Sequence, residues 1–265
     1  MQIDSSLRNN PIGIFDSGIG GLTVAKVIKE ILPKEHIVYY GDTARLPYGN
    51  KSKETIIKFA KEDIDFLLKF NVKVIVSACF TVSSNAISEL RNFYKIPIID
   101  MIEPSINILK NLKEKKIGII GTIATIESGS FQKYVPKGIK VFQKACPLFV
   151  PIVEEGFFNH PIGILAASEY LEEFKKEGVK TIILGCTHYP LMKDTIKNVL
   201  GDVKFIEPGY EAGIFLKKLL EKNNALSENE GKFEIYLSDI PRKMNEILNI
   251  FMGDRIKYTI KKSTD

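Results

Sequence analysis

Long apolar runs are missing from this sequence. The longest, such as VKVIVSACF over residues 72–80, have the length of a strand and fall well short of the roughly 18 residues that cross a bilayer. A membrane protein is not expected. The opening MQIDSSLRNN is polar, with no apolar stretch behind a basic cluster, so no secretory leader is predicted and a cytoplasmic location is. Cysteine is scarce: Cys79, Cys146 and Cys186 are an odd number with no CxxC pair, which argues against a disulfide framework and against a zinc finger. Any cysteine chemistry would use free thiols. A basic block is also missing. The net charge of +5 comes from lysines scattered through helical stretches such as KSKETIIKFAKED, the pattern of solvated faces, and nucleic acid is not an expected partner.

What is present is ordinary globular composition, 45% hydrophobic and 26% charged over 265 residues, enough chain for one domain or two modest ones. Apolar runs alternate with segments of helical spacing. IGIFD leads through DSG into GLTVAKVIKEIL; HIVYYGD is followed by a helix over about Ser52 to Lys69; VKVIVSAC precedes a helix near Ser84 to Phe93; and IPIIDM precedes one from Pro104. The rhythm restarts at Lys116 with KIGIIGT, KVFQKACP, a helix through Ile164 to Glu177, TIILGC, a helix from Pro190, and VKFIEP. Residues 223–232 are polar and predict a loop, after which FEIYLSD and PRKMNEILNIF give one more strand and helix. Such alternation predicts an α/β fold with parallel sheets flanked by helices.

The restart is an internal repeat. IGIFDSG resembles IGIIGT, and VIVSACFT resembles TIILGCTH; 63 positions separate Asp16 from Cys79, and 64 separate Thr122 from Cys186. Two pseudo-symmetric lobes are therefore expected. Each of these cysteines ends an apolar strand ahead of a helical segment, at the edge of an open α/β sheet where ligands bind. Facing lobes would set Cys79 and Cys186 on opposite walls of one cleft.

Two thiols so placed suit a reaction in which one removes a proton from a carbon and the other returns one to the opposite face. A thiol titrates near pH 8.5, so acid and base forms are both within reach of neutral pH once neighbours adjust them. Asp16 and His188 are such neighbours, and the helix starts after the cysteines would favour a thiolate and a substrate carboxylate. Each residue also has a plainer reading. A lone cysteine at a strand end is usually a small buried hydrophobe, which is the reading for Cys146; Asp16 could cap the next helix; His188 could be a satisfied buried histidine. GIGG over residues 18–21 lacks the G-x-G-x-x-G spacing of a nucleotide loop, and TARLPYG over 43–49 reads as a turn or a substrate loop.

Taken together, IGIFDSGIGGLTV, YYGDTARLPYG, ACFT, IEPS, GTIATIESG, ACPLFVPIVEEG and LGCTHYPL resemble the glutamate racemases of the cofactor-independent aspartate/glutamate racemase family, from about Ile12 to at least Tyr210. The resemblance implies interconversion of L- and D-glutamate without metal or pyridoxal phosphate, supplying D-glutamate for peptidoglycan. It implies Cys79 and Cys186 as the proton-transfer pair, Asp16 as assistant to the first, and Glu154 and His188 as assistants to the second. For substrate binding it implies Asp16, Ser17, Tyr48, Gly49, Thr81, Thr122, Thr125, Thr187 and His188. Family topology further implies a first lobe of residues 1–104 plus 212–265, a second of 105–211 and the active-site cleft between them, and family members often form homodimers. One departure stands out. Where the family has Asn-Thr after the first cysteine, this chain has Phe80-Thr81, and Val82-Ser83 replaces the following Ala-Ser. Phe has no donor or acceptor to replace the amide, and a lost hydrogen bond to a charged group costs about 1.5–3 kcal/mol. A racemase for aspartate or another small acid is the alternative within the family. A thiol hydrolase or transferase built on Cys186, His188 and Glu154 and a non-catalytic binding protein are alternatives outside it.

Overall fold

The computed structural model describes residues 1–253 and 256–263. In chain order the elements are β1 (Ile12–Asp16), α1 (Leu22–Ile31), β2 (Ile37–Gly41), α2 (Lys53–Leu68), β3 (Val74–Ser77), α3 (Phe80–Asn85), α4 (Ile87–Phe93), β4 (Ile98–Ile99) and α5 (Ile106–Lys110). There follow β5 (Lys116–Gly121), α6 (Ile123–Glu127), β6 (Lys140–Ala145), α7 (Phe149–Glu154), α8 (Pro161–Lys176), β7 (Thr181–Gly185), α9 (Lys193–Leu200) and β8 (Lys204–Ile206). The chain then forms α10 (Pro208–Lys222), β9 (Phe233–Leu237), α11 (Met244–Phe251) and β10 (Thr259–Lys262).

The strands make two parallel sheets. In the first the order is β10-β9-β2-β1-β3-β4, and in the second it is β6-β5-β7-β8. Both therefore contain the arrangement second, first, third, fourth strand, which is the repeat expressed as topology. β1, β3 and β7 are buried at every residue, as central strands covered on both faces must be. In each sheet the chain leaves the first strand towards one side and later returns on the other. The crevice beyond the carboxyl ends of β1 and β3, and of β5 and β7, is thus a switch point where open α/β sheets bind ligands. Asp16, Cys79, Thr122 and Cys186 stand at those four ends.

One apolar core joins both sheets through α1, α10 and α11, and a separate one packs α2 against the other face of the first sheet. α10 begins at Pro208, so a single helix runs through residue 212. It lies so close to α1 that a methyl on Gly213 would press on Ile31. Among the described residues no helix is long and apolar enough to cross a membrane.

Several elements differ from the sequence reading. The helix expected near Ser84 begins at Phe80 and breaks at Ala86 into α3 and α4; the β-branched Thr81 and Val82 conceal its start. α8 starts at Pro161, the favoured first position, with His160 Nδ1 accepting from the Ile162 N–H. No α-helix starts directly after Cys186: a 3-10 turn over Tyr189–Met192 intervenes before α9, so a helix start follows Cys79 alone, where burial outweighs it. α6, α7, α10 and β10 lacked a sequence signal. Of the expected first lobe, residues 254–255 and 264–265 lie outside the described residues.

Candidate active site

The first wall is built from β1 and β3. β1 ends at Asp16, and a glycine-rich turn returns the chain beneath it into α1. A methyl at Gly21 would overlap the Asp16 side chain, and one at Gly20 would collide with the His188 imidazole and the Thr187 hydroxyl. The GIGG segment is therefore a spacing device that lets the two walls approach. The Tyr39 hydroxyl fixes this turn by donating to the Gly18 carbonyl at 2.8 Å. Asp16 is buried; its Oδ2 accepts from the Gly18 N–H at 3.1 Å, and its Oδ1 has no partner. Burial raises its carboxyl above the ordinary range, against the opposing pull of His188. Cys79 occupies the position before the first residue of α3, with Sγ 3.5 Å from Ser17 Oγ. Burial first, and then the Asp16 charge, push this thiol up to about 12. At neutral pH Cys79 is an acid.

The second wall is built differently. Cys186 follows β7, and its Sγ lies 3.8 Å from His188 Nδ1; the opposite ring nitrogen, Nε2, is 2.9 Å from Glu154 Oε1. Burial alone would lower the imidazole, but the hydrogen bonds and charges of Cys186 and Glu154 outweigh it and raise His188 to about 10. An imidazolium at neutral pH gives Cys186 a counter-ion for a charged sulfur. Glu154 is the last residue of α7, a helix that carries Pro151 in its first turn, where no intrahelical N–H is required.

A cavity of about 110 Å³ separates the walls and is lined by both thiols, Asp16, Ser17, Gly49, Thr81, Thr122, Glu154, Thr187 and His188. It is far smaller than the roughly 300 Å³ and upward of drug-sized sites. Neither lysine nor arginine is among the lining residues, so the cation at its wall is the raised His188 imidazole. Two expected residues do not line it. Tyr48 is buried with its hydroxyl bonded to Asp42 Oδ2 and, at 3.1 Å, Asp63 Oδ2. Thr125 is buried 2.9 Å behind the Thr122 hydroxyl. Leu46 and Pro47, from the loop read as a turn or a substrate loop, also line the cavity, as do Asn50, Pro147, Val150 and Pro151, which the sequence reading does not single out. Asn50 merely continues the PYG loop, which is the one signal that pointed to it.

The walls are held together on the Cys79 side by α3. Thr81 and Thr122 share a hydrogen bond at 3.0 Å, Asn85 Nδ2 donates to the Ala124 carbonyl at 3.3 Å, and Ser130 Oγ donates to the Ser84 carbonyl at 3.1 Å. Phe80, the departure from the family pattern, turns its ring to Phe131 with centroids 6.2 Å apart. A second, larger cavity of about 520 Å³ lies on the far side of Phe80 and Cys186. It touches one thiol only, so the chemistry belongs to the smaller one.

The Asp/Glu/hydantoin racemase family matches residues 12–212. The chain is 44% identical to a glutamate racemase of Persephonella marina over 248 residues, covering 92% of this chain and 94% of that protein. It is 42% identical to the glutamate racemase of Aquifex aeolicus, covering 94% and 96%. In three dimensions it is similar to a glutamate racemase of Francisella tularensis crystallised with D-glutamate, with TM-score 0.90, 40% identity, and coverage of 97% and 98%. The fold, the paired strand ends and these relationships agree: the chain belongs to the Asp/Glu/hydantoin racemase family.

Proposed function

We propose that the chain interconverts L- and D-glutamate by two-thiol proton transfer without a cofactor, and that the D-glutamate serves peptidoglycan. The observation that carries this reading is the pair of thiols on facing walls of one small cavity, each with its own acid-base neighbour. The substrate is taken from relatives 40–45% identical over most of their length. In this reading the walls belong to two lobes that divide near residues 104 and 212, the boundaries that family topology implies.

With L-glutamate bound, Cys186 as thiolate takes the α-proton into a new S–H bond, and the electron pair of the broken C–H bond stays on the α-carbon. Cys79 gives its thiol proton to the opposite face of that carbon and is left as thiolate. The His188 imidazolium offsets the charge on Cys186 before transfer, and Glu154 holds the ring. For D-glutamate the roles reverse. Cys79 must first lose its proton, and the raised Asp16 carboxyl with its unpartnered Oδ1 is the group placed to accept it. Hydroxyls of Ser17, Thr81, Thr122 and Thr187 line the cavity and serve the substrate's polar ends. Closing the site over the substrate keeps water from the carbanion-like state.

Phe80 in the cavity wall favours one second reading, a racemase of a shorter acid such as aspartate. The test is the decay of optical rotation with purified chain and L-glutamate or L-aspartate. Glutamate is expected to racemise faster; faster turnover of aspartate would replace the first reading with the second. Cys79→Ser and Cys186→Ser are each expected to lower racemisation by about 10²–10⁴-fold, the range for positioned acid-base groups. A Cys79→Ser variant with full activity would favour a single-thiol hydrolase or transferase.

A further inference from the structure

We propose that Phe251, from the C-terminal helix, is a positioning residue that holds the His188 imidazole against Cys186. The inference rests on the two-thiol reading above and adds to it a residue from outside the cavity.

The hydrogen bonds of His188 do not by themselves fix its ring. The contact to Cys186 is long at 3.8 Å and the approach to Thr187 Oγ1 is 3.4 Å, while the one close partner, Glu154 at 2.9 Å, anchors only Nε2 and is about a quarter exposed. Packing must supply the rest. The Gly20 backbone sits where any side chain would strike the imidazole. The Phe251 ring stands perpendicular to it, at 89° with centroids 5.5 Å apart, a favoured edge-to-face geometry.

The surroundings make that ring hard to replace. Phe251 lines the 520 Å³ cavity together with Cys186, Thr187 and Phe80. Without its ring the imidazole would border open space into which it could turn. Met244, Ile247, Leu248 and Phe251 form the buried stripe of α11, the spacing of an ordinary amphipathic helix, and Phe251 is the member of that stripe that reaches the imidazole. The helix start is also tied to the second wall, where Lys243 pairs with Glu155 at 3.1 Å, next to Glu154. Helix α11 follows β9 of the first sheet, yet it braces the acid-base partner of the thiol in the second.

The test uses Phe251→Leu, which removes the ring, and Phe251→Tyr, which keeps it, in the full chain. Enantiomers are equal in free energy, so kcat/KM for L- and D-glutamate must fall together in any variant. Substrate deuterated at the α-carbon separates the steps. Loosening the Cys186 side makes abstraction limiting from L-glutamate and reprotonation limiting from D-glutamate. Phe251→Leu is expected to lower kcat/KM about 10-fold in both directions, raise the α-deuterium isotope effect with L-glutamate and lower it with D-glutamate. Phe251→Tyr is expected to keep the parent isotope effects, with kcat/KM within about threefold. If Phe251→Leu fails to fold, Phe251→Met fills similar volume and is read the same way. A lowered Tm with unaltered isotope effects in both directions would make Phe251 a core residue only and overturn the proposal. A parent chain that does not racemise glutamate would overturn the two-thiol reading itself, and this inference with it.

Discussion

His188 is the residue on which the charge balance of the site turns. It is held at about 10 in the folded chain, against about 6.5 for an unfolded histidine. A group raised on folding contributes stability that is fully present below its unfolded value and lost as pH climbs through its folded value. The stability difference between parent and His188→Gln is therefore expected to be largest below about pH 6.5 and to shrink towards pH 10. Urea unfolding at a series of pH values measures it. The raised Cys79 is common to both chains and cancels in the difference. A difference that grows with pH would mean that the imidazole is held neutral. Gly20 sets the second expectation at this scale. Gly20→Ala drives a methyl into the imidazole and the Thr187 hydroxyl, so a cost of about 1–3 kcal/mol and a fall in kcat/KM should appear together in thermal melts and rates. At this scale the sequence was informative wherever a residue ended an apolar strand, as with Asp16, Cys79, Thr122 and Cys186. It did not show that the Tyr48 side chain turns away from the cavity into Asp42 and Asp63.

Among the elements, the loop over residues 43–50 depends on that turned-away side chain. The Tyr48 hydroxyl joins Asp42 to Asp63, Arg45 bonds Asp42, Asp63 and Glu62, and Ser238 Oγ donates to Asp42 Oδ1 at 3.0 Å. Tyr48→Phe removes the hydroxyl that joins two buried carboxyl groups, which is expected to cost about 1–3 kcal/mol and to raise KM through Gly49 and Asn50. Unchanged KM would leave the cluster a stability device alone. Thr125 tests the opposite wall. Thr125→Val keeps the shape and removes the hydroxyl behind Thr122, so KM is expected to rise by about fivefold for the loss of about 1 kcal/mol. Two of the overlooked elements have separate physical reasons. α7 carries Pro151 and follows Pro147, residues that read as turns, although the first turn of a helix tolerates proline. β10 is mostly exposed and rich in lysine, the disguise of an edge strand, and offers no apolar run to detect.

For the whole molecule, the repeat decided what was legible. Two copies of one strand order in the right register placed both cysteines at switch points before any contact was known, and the sheets follow that order. What the repeat left out was the asymmetry between its halves. A six-residue helix starts at the first cysteine, whereas a 3-10 turn and a Glu154–His188 pair serve the second. These depend on long-range packing that no local spacing reveals. In the proposed reaction two thiols act on one carbon from opposite faces. The most direct test is to start the parent chain on L-glutamate in D2O and follow the α-position of both enantiomers by NMR during the first few per cent of conversion. The expected result is deuterium in the D-glutamate formed and almost none in the remaining L-glutamate, because the proton taken by Cys186 and the deuteron delivered by Cys79 belong to different groups. Deuterium appearing in unreacted L-glutamate as fast as in the product would mean that a single group serves both faces, and would overturn the two-thiol mechanism.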